Sequence, residues 1–230
     1  MRISSFRTSV IASLLTVMTY SANATPVSSF AVAKFGHLDA QDSPRRSANG
    51  TTEAVYRLSN SKDVVMYLSG TTPIKDWTMC AHGLSGEALM VITRDNHLNE
   101  INSLNFSLPV GNLRGEQCAM DHDAYTALKA DHYKDITFKL ISATVQPMDE
   151  YTYAIAALGN LTVAGVTRIV TLKMRSQVSR DGSITFTGSE DLKMSDYNVE
   201  RPSILFGTIK AGDRMTLSYT LIFNKLAGAL

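Results

Sequence analysis

The sequence predicts an all-β domain, an antiparallel barrel or sandwich, and three observations predict it. From Glu53 onward apolar residues recur with a period of two, the pattern of strands with one buried face. Turn residues cut this pattern into short runs, none with the near-continuous apolar stretch of a strand covered on both sides. A single stretch, residues 121–130, carries a helical pattern. One-sided strands joined by short turns bury their apolar faces by closing on each other.

In chain order, residues 1–24 come first. Arg2 and Arg7 precede an apolar run at 10–18, which ends in Ala22-Asn23-Ala24. A basic start, a short apolar core and an A-x-A ending make a secretory signal peptide. The apolar run is shorter than the about 20 residues of a membrane-spanning helix. No cysteine lies near the cleavage site for a lipid anchor. Cleavage after Ala24 removes both arginines and no acid, turning the net charge from +1 to −1. Residues 25–52 read as a flexible leader, since 43–52 is polar, turn-rich and aperiodic. The domain then spans 53–225, with a short tail at 226–230.

Within the domain, short strands are predicted at 54–58, 64–68, 78–82 and 88–93. Longer alternation follows. Leu104, Phe106, Leu108 and Val110 share a face, as do Ile136, Phe138 and Leu140. Tyr151, Tyr153 and Ile155 form another, followed by Val170, Leu172 and Met174 and by Ile184 and Phe186. The chain closes with Met215, Leu217, Tyr219, Leu221 and Phe223. Gly70, residues 83–86, Asp95-Asn96, Gly159-Asn160, Asp181-Gly182 and Gly212-Asp213 read as turns, and Asp181-Gly182 between two alternating runs predicts a hairpin. In the helix, Asp121 is the expected N-cap, with Ala124, Tyr125, Ala127 and Leu128 on one side.

The near-neutral mature chain lacks the basic footprint of a nucleic-acid binder and the Lys/Arg cluster that holds a protein on an anionic membrane. Its apolar content excludes global disorder. Two cysteines, Cys80 and Cys118, in an exported domain are expected to pair as a disulfide. Free thiols are one alternative. The other is a zinc site with His82 and His122, although Cys-x-His is not a usual zinc spacing. His37, His97 and His132 stand in polar surroundings and read as solvated loop histidines. No Gly-x-Ser-x-Gly elbow, phosphate loop, dinucleotide fingerprint or His-Glu-x-x-His is present. Paired carboxylates at 149–150 and 190–191 sit at strand ends, as solvated turns do. No catalytic residue, metal or cofactor is assigned.

What remains is the apolar face, rich in aromatics and methionines: Phe106, Phe138, Tyr151, Tyr153, Phe186, Met215, Tyr219 and Phe223. An eight-stranded barrel can fill its interior with such side chains or hold one small ligand. Periodicity leaves both open. An outer-membrane barrel would place the same alternation the other way round, with aromatic girdles that are absent here.

Several phrases occur in a set order: Met120-Asp121, Ala127-Leu128-Lys129, Ile136-Thr137-Phe138, the ten residues from Gly159-Asn160 to Thr167-Arg168, Gly188, and Met194-Ser195-Asp196-Tyr197. Gly70-Thr71, Asp76-Trp77 and Pro202…Gly207 add to them. Together they resemble the YceI-like family of secreted bacterial proteins. Leu161-Thr162-x-x-Gly165-x-Thr167-Arg168 and the Met-Asp before the helix are the most specific marks, and the likeness spans about residues 53–225. One departure is Lys75, where a periplasmic subgroup commonly has His.

The resemblance implies an extended, eight-stranded antiparallel lipocalin-like β-barrel in the periplasm. It implies an elongated apolar cavity for a long isoprenoid lipid, a polyisoprenoid or an isoprenoid quinone, and no established catalytic residues. A prenyl chain suits such a wall because burial gains about 0.8 kcal/mol per CH₂ without polar partners. Phe138, Leu140, Tyr153, Ile155, Leu172, Phe186, Leu217, Tyr219 and Leu221, on the expected inward faces, are expected to line it. The partner is thus a lipid tail rather than nucleic acid, the barrel is not embedded in a membrane, and a homodimer is one assembly state open to it. The alternative is a non-catalytic structural or interaction module with a filled barrel.

Overall fold

A computed structural model describes residues 50–116, 118–204 and 209–226, all belonging to one compact unit, Gln41–Leu230. The expected signal peptide, nearly all of the leader and the last tail residues lie outside the described residues.

Among the described residues the strands are β1 (Thr51–Leu58), β2 (Val65–Gly70), β3 (Trp77–Ala81), β4 (Ser85–Thr93), β5 (Leu98–Pro109), β6 (Leu113–Gly115), β7 (Asp135–Asp149), β8 (Thr152–Val163), β9 (Val166–Val178), β10 (Ile184–Lys193), β11 (Ser203–Ile204), β12 (Ile209–Lys210) and β13 (Arg214–Lys225). One α-helix, α1 (Cys118–Ala127), lies between β6 and β7, and a 3₁₀ turn at Met194–Tyr197 follows β10. Eight strands close an antiparallel barrel in the order β1-β4-β5-β7-β8-β9-β10-β13, with β13 returning to β1 through Leu58↔Phe223. Every sequence-predicted strand is present, and β5, β7, β8 and β9 run well beyond their predicted cores.

β13 serves two partners on one edge. Its last residues pair with β1, while 215–220 pair with β2, which carries β3 and β6 as a three-stranded flap. The flap and α1 therefore extend the barrel at one end only. Outward positions of β9 are Thr167, Ile169, Thr171, Lys173, Arg175 and Gln177, all exposed, while Met174, Ser176 and Val178 are buried. This polar-out, apolar-in alternation is the reverse of a water-filled membrane barrel.

One turn expectation changes and another holds. Gly159-Asn160 lies inside β8, paired with Leu140 and Lys139, and is not a turn. The chain reverses five residues later, at Ala164 and Gly165, whose φ angles of 48° and 79° give the left-handed two-residue turn that matches strand twist. The Asp181-Gly182 hairpin forms as expected: Gly182 has φ 82°, and Asp181 accepts hydrogen bonds from the Ser183 amide (2.9 Å) and hydroxyl (2.7 Å).

The helix begins at Cys118, so Asp121 sits within its first turn instead of capping it. Its carboxylate accepts the Gly115 N–H at 2.6 Å, tying β6 to the helix start, where a negative charge suits the dipole. The helix ends early because Lys129 turns left-handed (φ 54°), with Ala130 N–H on Tyr125 C=O and Lys129 N–H on Thr126 C=O. That is a Schellman ending without its usual glycine, which is why composition did not signal it.

The family-like motif Leu161-Thr162-x-x-Gly165-x-Thr167-Arg168 has a structural explanation. The Thr162 and Thr167 hydroxyls pair at 2.8 Å across the β8–β9 turn. Arg168 Nε donates to the Asp196 carbonyl at 2.8 Å, holding the 3₁₀ turn against β9. Asp213 accepts both the Ser195 amide (2.9 Å) and hydroxyl (2.7 Å) from the other side. These contacts build one rim of the barrel.

Candidate functional site

The barrel is packed at one end and hollow at the other. At the packed end Tyr56, Met90, Ile92, Leu98, Ile155, Val178 and Ile184 are buried among each other. Tyr153 belongs here too. Its hydroxyl accepts the Leu98 N–H at 3.1 Å and meets His97 Nδ1 at 3.0 Å, while the His97 ring stacks on Tyr151 with centroids 5.1 Å apart. His97 is therefore a half-buried closing element and not a solvated loop histidine. Tyr151 lies outside the barrel face predicted for it, exposed in the β7–β8 turn.

At the other end the inward faces surround a cavity of about 420 Å³, within the usual range for small-molecule sites. Phe186 and Phe223, edge to face at 5.7 Å, form its floor, where the packed end begins. Its walls are Leu104, Phe106 and Leu108 from β5, Phe138 from β7, Leu161 from β8, Leu172 and Met174 from β9, and the inward row of β13. The flap adds Met66, Leu68, Trp77 and Met79, α1 adds Met120, Ala124 and Ala127, and the turn after it adds Leu128. Many of these apolar side chains are only half-buried although they point inward, because they face open space. Polar lining is confined to Thr72, Lys75, Asp76, Glu116, Asp123 and the aromatic residues Trp77, Tyr197 and Tyr219. Of these, Lys75 and Glu116 form an exposed ion pair at 2.9 Å, an interaction of little energetic weight in water.

Hollowness has a local cause. Three lining aromatics lie across glycines of neighbouring strands and so hug the wall instead of filling the lumen. A Cβ added at Gly159 would stand 2.3 Å from the Phe138 ring, one at Gly70 2.4 Å from Trp77, and one at Gly188 2.4 Å from the Tyr219 hydroxyl oxygen. Gly70↔Trp77 and Gly188↔Tyr219 are direct cross-strand partners, an arrangement in which the ring covers the gap that the glycine leaves.

Of the nine residues expected to line a cavity, Phe138, Leu172, Phe186, Leu217, Tyr219 and Leu221 do so. Leu140, Tyr153 and Ile155 do not. Leu140 pairs with Gly159, over which Phe138 leans, and packs on the core beside a bulge between Leu140 and Ser142. Tyr153 and Ile155 face inward at the packed end. Period-two patterning finds the inward face but carries no depth along the barrel axis, so it cannot separate floor from lumen. The flap and α1 contributions were missed. One compositional signal could have found them: six of the ten methionines (Met66, Met79, Met120, Met174, Met194 and Met215) line the cavity, and methionine is the adaptable residue of variable apolar surfaces.

Cys80 lies on β3, half-buried, with burial pushing its thiol pKa up. Its strand partner is Arg114, four residues before α1 begins at Cys118. The Cys118 side chain, and with it the expected pairing, lies outside what is described. Among the described residues no three His, Cys, Asp or Glu side chains converge as a metal site, and no helix is long and apolar enough to cross a membrane.

Among solved structures, Burkholderia cenocepacia BcnA is similar at 15% identity over 69% of this chain and 95% of its own, with a TM-score of 0.55. A polyisoprenoid binding domain from Saccharophagus degradans, described as implicated in plant cell wall breakdown, is similar at 11% identity over 75% of this chain and 99% of its own, with a TM-score of 0.56. Both likenesses concern the fold. No curated protein sequence matches. The family model described as "YceI-like domain" matches residues 76–223, more than half of the chain, from β3 into β13. The protein belongs to the YceI-like domain family.

Proposed function

We propose that this protein binds a long-chain isoprenoid lipid, a polyisoprenoid or an isoprenoid quinone, in the hollow end of its barrel, and carries or sequesters it in the periplasm. One observation carries the reading: an apolar cavity of about 420 Å³ whose lining side chains remain half-buried because they face open space. Membership of the YceI-like family and the likeness to a polyisoprenoid binding domain support it. The export pattern of residues 1–24 supports the compartment.

Chemically the site suits binding rather than turnover. An almost wholly apolar wall stabilises a hydrocarbon chain by burial. Flexible methionines allow the wall to adapt to kinked prenyl units. The rim residues Thr72, Lys75, Asp76 and Glu116 keep the open end polar.

Native mass spectrometry of protein purified from an exporting bacterial host tests the proposal. Bound prenyl lipid, or uptake of an added polyprenol after delipidation, is the expected result. Lipid-free protein that takes up no prenyl chain would return the barrel to the alternative of a structural or interaction module.

A further inference from the structure

The floor of the lumen is fixed by packing. Phe186 and Phe223, which meet edge to face, are both almost wholly buried although their rings border the cavity. The Phe223 ring reaches from β13 to β4: a Cβ on Gly86 would stand 3.3 Å from its Cζ and 3.5 Å from the Leu58 Cβ on β1 between them. The two rings therefore lie across β10, β13, β1 and β4, four neighbouring strands of the eight. Beneath them Tyr56, Met90, Ile155, Val178 and Ile184 are buried, and none of these borders the lumen. A close-packed layer of this kind resists displacement by a ligand pressing from above.

Depth and volume then fix how much chain fits. The lumen follows β13 from Met215, which pairs with Gly70 of the flap, down to Phe223, eight residues further on. At about 3.4 Å per residue and a strand tilt of about 40°, that is about 20 Å along the barrel axis. Spread over this depth, the cavity of about 420 Å³ has a mean cross-section of about 21 Å², the width of a single hydrocarbon chain. An apolar cavity of about 150 Å³ holds the six carbons of benzene. By the same measure this lumen holds about 17 carbons, between three and four five-carbon isoprene units. Four extended units, each rising about 5 Å over four C–C bonds, also span about 20 Å.

We infer that the barrel encloses only three to four isoprene units, and that Phe186 and Phe223 are the specificity-determining stop on which the chain end rests. This rests on the lipid-binding reading above and deepens it. A chain of about 15–20 carbons is taken in whole, whereas a longer chain enters by one end and leaves its remainder outside the mouth. Burial supplies the affinity, so a unit inside the lumen adds to it and a unit beyond the mouth does not.

The test is a competition. Delipidated full-length mature protein is offered geraniol, farnesol, geranylgeraniol, geranylfarnesol and solanesol (two, three, four, five and nine units) together from one pool of detergent micelles. Bound amounts are read by native mass spectrometry, and dividing each variant by wild type cancels micelle partitioning. Phe223→Ala removes a six-carbon ring from the floor, the space of about one further unit. Its ratio to wild type should stay near one for geraniol and farnesol and rise about tenfold or more from geranylgeraniol or geranylfarnesol upward. Leu221→Phe, beside Phe186 across the strands, adds three carbons to the hollow wall and should act in reverse, lowering the ratio about threefold or more from geranylgeraniol upward. Should Phe223→Ala fail to fold, Leu221→Phe decides alone, since it fills open space. Ratios without a step in chain length would overturn the inference, because the chain end then does not reach the floor. A step only at solanesol would also overturn it, by showing a lumen longer than three to four units. If no prenol binds wild type, the lipid-binding reading falls and this inference with it; if all bind and no step appears, only this inference falls.

Discussion

The phenol of Tyr219 lies across Gly188, its cross-strand partner, so closely that a Cβ on that glycine would stand 2.4 Å from the hydroxyl oxygen. The pairing keeps one of the largest lining rings against the wall. It gives the cavity a genetic handle that leaves the wall's own apolar residues untouched.

Gly188→Val should drive the Tyr219 ring into the lumen. The expected outcome is a folded barrel, destabilised by about 1–3 kcal/mol as overpacking generally costs, with prenyl-lipid affinity reduced by about tenfold or more for each 1.4 kcal/mol of lost burial. Thermal unfolding and a polyprenol binding titration read the two effects separately.

Truncation should separate the two ends of the barrel. Ile184 is fully buried at the packed end, against the floor residue Phe223, so Ile184→Ala should cost about 2–5 kcal/mol. Leu217 is half-buried and borders the lumen, so Leu217→Ala removes little packing and should cost less than about 2 kcal/mol in the lipid-free protein. Urea denaturation of both delipidated variants makes the comparison. Equal large losses would mean a barrel filled along its whole length.

Acid should loosen the rim and the β9–β10 hairpin. The Ser195 and Ser183 hydrogen bonds hold the Asp213 and Asp181 carboxyls below their ordinary 3.8. A folded-state pKa below the unfolded one means the ionised group favours the native state. That contribution is complete above the unfolded value and disappears as pH falls through the lowered values. Thermal midpoints measured from pH 6 down to pH 2.5 should therefore fall less steeply in an Asp181→Asn/Asp213→Asn double variant than in wild type.

The pairing of Cys80 with Cys118 is open to a thiol titration. The β3–β6 register sets Arg114 opposite Cys80, four residues before Cys118 in the chain. Exported protein unfolded in denaturant without reductant should show no reactive thiol, and two after reduction. The bridge should be worth about 4 kcal/mol on a chain-entropy view of its loop, read as a lower midpoint for Cys80→Ser. Two thiols before reduction would exclude it.

How far the site was legible follows from what each pattern encodes. Leu217, Tyr219 and Leu221 were readable because period-two alternation tells which face of β13 turns inward, and they line the cavity. Tyr153 has the same alternation on β8 but stands at the packed end, where its hydroxyl is tied to His97 and Leu98. Gly159 read as a turn because glycine usually signals one, whereas here it makes room for Phe138. Trp77 and Ala124 were out of reach: they come from the flap and helix, whose position depends on pairing between strands rather than on any local pattern.

The sequence by itself determined an all-β, one-sided strand set with a single helix and an apolar inner face, because side-chain alternation and turn chemistry are local properties of the chain. Its motifs also pointed to the YceI-like family. Only the tertiary structure decided that the inner face is packed at one end and hollow at the other. That difference depends on which aromatics meet glycines across strands, where β7 bulges and where the flap closes over the wall. Each is a contact between strands, which the alternation within any one strand does not encode.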